Sequence, residues 1–178
     1  MSYSNTRASY GYASLFRRAC WNLVYFFLFK PSPWFAFSWR NLLLTIFGAY
    51  IEKGVRIYPS VKFFNPTLIH LGKNSSLGPR TSLYNHALIK VGFNTVVSQD
   101  VMLCTGSHDF RDPSFPLISS PIIIEDNCWI CAGCFVGPGV KFSSHSVLGA
   151  RSVLFKNVDG NQVWAGNPAA IVSRRGRV

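Results

Sequence analysis

From Ile124 to Asp159 the chain repeats every six residues: IEDNCW, ICAGCF, VGPGVK, FSSHSV, LGARSV, LFKNVD. The first place is always large and apolar (Ile124, Ile130, Val136, Phe142, Leu148, Leu154). The fifth is always small: Cys128, Cys134, Val140, Ser146, Ser152, Val158. The fourth place is rich in Asn and Gly, which enter the left-handed backbone region most cheaply, so each hexad reads as a short strand followed by a tight corner. A period of six with such corners specifies a parallel β-helix. Three hexads close one triangular coil, so residue i lies under residue i+18. Ile124 is expected to stack on Phe142, Ile130 on Leu148 and Val136 on Leu154. Each strand then pairs with the coils above and below, and the coils stabilise one another as neighbours.

The same pattern extends upstream. LGKNSS, LGPRTS and LYNHAL start at Leu71, Leu77 and Leu83; two extra residues precede VGFNTV, VSQDVM and LCTGSH, which start at Val91, Val97 and Leu103. Their fifth places are Ser75, Thr81, Ala87, Thr95, Val101 and Ser107, all small and expected inside. The helix is expected to begin irregularly, with VRIYPS from Val55 and VKFFNP from Val61. The fold class is therefore all-β, a left-handed parallel β-helix over residues 51–160. A helical, aromatic segment (1–50) precedes it and a short tail (161–178) follows, with GNP at 166–168 marking a turn and AAIVSRR a helix or extended tail. Between His108 and Ile123 the period breaks. HDFRDPSFPLISSPII holds three prolines and must leave the prism as a loop, a place where function tends to sit.

The segment before the repeat carries two aromatic runs, Leu15–Phe29 and Trp34–Tyr50, separated by Pro31 and Pro33. Neither supplies the roughly 18 clean apolar residues of a spanning helix. With Arg17, Arg18, Lys30 and Arg40 among Trp and Phe, they either pack on the first coils and a neighbouring subunit or lie at a membrane interface. Residues 1–14 are polar and expected to order poorly alone. The net charge of +11 points to anionic partners. Because the basic residues are spread along the chain, apart from Arg174, Arg175 and Arg177, nucleic acid is not expected. Five cysteines, and the lack of an A-x-A-like cleavage site near Met1, fit reduced thiols in the cytoplasm. Cys128, Cys131 and Cys134 form CxxCxxC, but the hexad register points them in different directions, so they read as packed thiols and no metal is expected.

The loop opening with TGSHD, the phrase NCWICAGCFVGPGV and the closing VWAGNPAAIV resemble the left-handed β-helix O-acetyltransferases of the maltose, galactoside and nodulation type. SWRNLLLTIFGAYI, PSVKFFNP and VVSQDVMLCTGSHDF are most similar to the colanic acid biosynthesis acetyltransferases of exopolysaccharide gene clusters. The resemblance spans about residues 34–175. It implies acetyl-CoA-dependent acetylation of a saccharide hydroxyl, with a lipid- or nucleotide-linked acceptor, at the subunit boundaries of a homotrimer. It matches His108 to the catalytic base, and His70, His86 and His145 remain structural. It implies a donor site at Trp129, Ala132, Ala150, Phe155 and Lys156. The family's C-terminal basic contacts align with Ala170 and Ser173, so Arg174 and Arg175 would have to substitute. Its acceptor-side carboxylate aligns with Asn85, which with Tyr84 would line the sugar pocket. Acetylation of an amino-sugar or metabolite amine stays open as the alternative. A zinc carbonic anhydrase would need HxxxxH, which these histidines lack, and a purely structural or membrane-binding module would need neither TGSHD nor the proline-rich excursion.

Overall fold

The structure, a computed structural model, describes residues 12–176. Most of the polar opening segment and Arg177 lie outside them. The repeat forms a solenoid of three parallel faces, and the first-place residues, buried except for the partly buried Ile51, stack in three columns. They run Ile51, Leu71, Val91, Ile124, Phe142; Ile57, Leu77, Val97, Ile130, Leu148; and Phe63, Leu83, Leu103, Val136, Leu154. The expected pairs 124/142, 130/148 and 136/154 are all present. Each fully buried aliphatic contributes about 1.5–3 kcal/mol by leaving water.

Corner geometry follows the fourth place. Asn127, Gly133, Gly139, His145 and Arg151 have positive φ, as do Asn74, Arg80, Asn94 and Asp100 upstream. Cys128, Cys134, Val140, Ser146, Ser152 and Val158 are buried inside these corners.

The first coil corrects the frame expected for it. Ile57 pairs with Leu77 and Phe63 with Leu83, so the hexads read IEKGVR, IYPSVK and FFNPTL. Val55 and Val61 are the small inward residues rather than the first ones. The upper coils advance by twenty residues, as in Ile51 to Leu71 and Leu71 to Val91, because each takes up two extra residues at one corner. Ser107 also departs from expectation. The chain has already left the coil there, and Ser107 is exposed.

The excursion is not an irregular loop. Gly106–His108 and Leu117–Ser119 pair antiparallel as a hairpin, and the chain rejoins the prism at Ile122, which pairs with Ile89. At the other end, Gln162–Gly166 extends the second face beside Val147–Leu148 and folds back on Ala169–Arg174 through a cis Asn167–Pro168 peptide. The tail is thus a strand hairpin and not a helix.

The N-terminal segment caps the first coil with helix α1 (Tyr12–Val24), a π-helical turn (Tyr25–Phe29) and helix α2 (Phe37–Ile46). Trp21 and Phe29 are buried against Phe63, and the Trp21 indole donates to the Phe63 carbonyl at 3.2 Å. Arg40, fully buried, extends its guanidinium to the carbonyls of Ile57 (2.5 Å), Pro33 (2.7 Å) and Trp34 (2.7 Å) and to Ser32 Oγ (2.8 Å). None of the helices among the described residues is long and apolar enough to cross a membrane.

The cysteines of CxxCxxC are separated by the same geometry. The Cys128 thiol lies 3.3 Å from the Ser143 carbonyl, and that of Cys134 lies 3.0 Å from the Gly149 carbonyl at the next corner. Burial pushes the Cys128 thiol up to about 11 and raises Cys134 and Cys131 as well. These groups stay protonated at neutral pH, which suits packing and not ligation. Among the described residues no three His, Cys, Asp or Glu side chains converge on a point that could hold a metal ion.

Candidate active site

His108 ends the first strand of the hairpin, with its imidazole exposed. Its Nδ1 lies 2.5 Å from the carbonyl oxygen of Phe115 across the hairpin. A carbonyl can only accept, so Nδ1 carries a proton, and in the neutral imidazole Nε2 is the nitrogen with the lone pair. Phe115 reaches this position with φ +45°, an unusual conformation for an aromatic residue that the surrounding turn must hold. The tip supplies that support. Asp112 Oδ1 accepts from Ser114 N and Oγ, and Asp109 N donates to the Pro116 carbonyl at 3.0 Å.

His108 borders a cleft of about 440 Å³ whose walls include Ser107, Arg111, Ser119, Pro138 and Phe155. Phe155 leans over Gly137, where a Cβ would come within 2.3 Å of its ring. It also packs on Phe135, with the rings tilted by 46° and centroids 5.5 Å apart. Only glycine at 137 leaves that ring room to reach the cleft.

On the far side of the hairpin root, His86 lies against Gly106, where a Cβ would stand 2.8 Å from its ring. His86 packs on Phe64 (4.4 Å) and Tyr84 (4.8 Å), and the Arg18 guanidinium sits 3.8 Å above the Phe64 ring. Burial, then Arg18 and then His108, lower the His86 pKa from its ordinary 6.5. The unfolded chain therefore binds a proton at His86 that the folded chain refuses. Stability from this group is complete above about pH 6.5 and is lost as pH falls below it. Thermal melts should show the midpoint dropping on acidification through that range. His86→Phe, which keeps a ring in the stack, should flatten the slope; an unchanged slope would assign it to other groups.

The residues singled out from sequence fall into separate places. Phe155 shares the cleft with His108. Trp129, 49% exposed, stands on the second face, steadied by a 2.9 Å hydrogen bond from its indole to Ser98 Oγ. Ala132 and Ala150 follow at the adjoining corner, joined through the bond from Arg151 N to the Ala132 carbonyl. Lys156 and Arg174 are exposed, whereas Arg175 is engaged with the Asn127 carbonyl at 2.9 Å. Tyr84 is partly exposed beside Phe64.

Asn85 does not stand where an acceptor-lining residue must. It is fully buried, its oxygen accepting from Asn65 N and its amide nitrogen donating to the carbonyls of Asn65 (2.7 Å) and Leu68 (3.3 Å). These bonds close the corner where two extra residues enter the coil, and no polar atom is left to face a ligand. The sequence reading also passed over Phe115 and Phe64. A backbone carbonyl leaves no side-chain pattern to find, and Phe64 reads as one more core aromatic.

A hexad solenoid interrupted by a hairpin that presents one oriented imidazole beside a cleft defines a class, the hexapeptide-repeat acetyltransferases. No protein-family model matches the chain. It is, however, 41% identical over 155 residues to the protein of Escherichia coli K12 described as the colanic acid biosynthesis acetyltransferase WcaF, covering 87% of this chain and 85% of that one. The chain belongs to that acetyltransferase family. Among solved structures, galactoside acetyltransferase in complex with coenzyme A superposes with a TM-score of 0.86 at 22% identity, over 95% of this chain and 86% of the other. A hexapeptide-repeat acetyltransferase of Vibrio cholerae complexed with acetyl coenzyme A gives 0.83 at 23% identity, over 97% and 93%. Both share the fold.

Proposed function

We propose that this acetyltransferase moves the acetyl group of acetyl-CoA to a saccharide hydroxyl during the biosynthesis of an exopolysaccharide or surface glycan, with His108 as the base. The observation that carries this reading is the His108 Nδ1 to Phe115 carbonyl bond, which makes Nε2 the basic nitrogen of the neutral imidazole on a residue that lines a cleft. Nε2 accepts the hydroxyl proton as the acceptor oxygen attacks the thioester carbonyl carbon. The C–S bond then breaks, and the proton held on Nε2 is returned to the departing sulfur.

For the donor, the half-exposed rings of Trp129 and Phe155 and the small Ala132 and Ala150 offer apolar area and close backbone approach. Lys156 and Arg174 suit phosphate groups; Arg175, already bonded to a carbonyl, would reinforce them as charge alone. Tyr84 remains the candidate for stacking on the acceptor ring. One prism presents only one wall, which supports a homotrimer with sites at subunit boundaries. The cysteines of the described residues are all unpaired, which favours the cytoplasm, with peripheral contact at the inner membrane face.

Thiol release from acetyl-CoA, measured with a panel of free, nucleotide-linked and lipid-linked saccharides, tests the assignment. Acceptor-dependent release and an alkali-labile acetyl ester on the product are expected. An alkali-stable product would show that an amine is modified instead, and an absence of acceptor-dependent release with every saccharide would refute the reading.

A further inference from the structure

Helix α1 and the π-helical turn that continues it are apolar on both sides, which a helical segment facing water on one side should not be. Trp21, Tyr25 and Phe29 face the first coil. On the opposite side, Phe16 (73% exposed), Leu23 and Phe27 stand at i, i+7 and i+11, turned to solvent. The turn between the helices adds Trp34 and Phe35, each 66% exposed. Such a concentration of exposed aromatic area is far outside what a surface needs for folding.

This apolar area is held rigidly. Arg40 donates to Ser32, Pro33 and Trp34 from beneath, and the Trp39 indole donates to the Leu28 carbonyl at 3.1 Å, tying the π-helical turn to α2. A buried guanidinium with no carboxylate beside it among the described residues is used here to brace a turn that displays two large rings outward.

The charge pattern selects the occupant. Residues 1–51 contain Arg7, Arg17, Arg18, Lys30 and Arg40 and no Asp or Glu; Arg40 is buried and Arg18 lies over Phe64, while Arg17 and Lys30 are exposed. A second copy docking through this same segment, which holds no carboxylate, would bring like charge to the contact, whereas aromatic rings flanked by cations match the interface of an anionic bilayer. We infer that the surface of α1 and the following turn docks on an anionic lipid membrane, with Trp34 and Phe35 inserted at headgroup depth. The same segment leads toward the candidate base. Arg18 covers Phe64, Phe64 packs on Tyr84 and His86, and His86 lies against Gly106 at the root of the His108 hairpin. Docking would therefore bring Tyr84, which shares a pocket with Arg18 and Trp21, toward the lipid surface, which suits a lipid-linked acceptor. The membrane contact itself does not depend on acetyl transfer.

The full chain should co-sediment with vesicles of phosphatidylcholine and phosphatidylglycerol, weakly or not at all with phosphatidylcholine alone, and less as salt rises. Brominated lipids should quench its tryptophan fluorescence. Trp34→Ser with Phe35→Ser should bind at least about ten-fold more weakly while keeping the circular dichroism and thiol-release rate on a soluble acceptor. No sedimentation of the wild-type chain with anionic vesicles, or no quenching, would overturn the inference. So would a double variant that binds lipid as well as the wild type, or one that lowers the oligomeric state by light scattering, which would mean that a second copy covers this face.

Discussion

Replacing His108 with alanine is expected to lower kcat by about 10²–10⁴, the range a positioned general base contributes, while leaving the KM for acetyl-CoA and the oligomeric state nearly unchanged. The separation follows from the site. The imidazole is exposed and its one hydrogen bond among the described residues is to the Phe115 carbonyl, so removing it costs the fold little. His108→Gln sharpens the test. Its amide can still donate to that carbonyl and hold the hairpin, yet it supplies no basic nitrogen, so it should be as inactive as alanine. If either variant kept wild-type turnover, the base would have to be sought elsewhere in the cleft.

Arg40→Ala is expected to destabilise the N-terminal segment by at least about 1–3 kcal/mol, the cost of leaving a buried acceptor unpaired. Its guanidinium serves Ile57, Pro33, Trp34 and Ser32 at once, and truncation strands several acceptors that water cannot reach. Arg40→Lys should recover only part of the loss, since a single ammonium cannot span donors directed to both the coil and the turn. The damage should be local, because solenoid coils depend chiefly on their neighbours. Chemical denaturation followed by tryptophan fluorescence should show an early transition for the helices and a later one for the coils. A single transition at the wild-type midpoint would mean that Arg40 is dispensable.

The first coil shows where reading the repeat stops working. Val55, Ile57, Val61 and Phe63 alternate along two short strands, so either set can start a hexad. Only the pairing of Ile57 with Leu77 and Phe63 with Leu83 decides between them. Downstream, the small fifth-place residues remove that ambiguity, since the corners admit Ser, Cys or Val, and the expected stacking of Ile124, Ile130 and Val136 is found. The hairpin was legible as a departure, because three prolines cannot continue a coil, but its strands were hidden among those prolines. Asn85 was misplaced for a similar reason. Its neighbour Tyr84 faces outward, and the direction of Asn85 depends on Asn65, twenty residues earlier and one coil away.

Taken alone, the sequence determined the solenoid, its triangular stacking and the histidine at the point where the coil opens, because these follow from local size and corner chemistry repeated every six residues. The tertiary structure decided which nitrogen of His108 is free, which way Asn85 turns and that the N-terminal helices keep an apolar side in the open. Each of those depends on partners brought together across coils or across the hairpin, where a backbone carbonyl or a buried guanidinium sets the outcome and leaves no periodic mark along the chain.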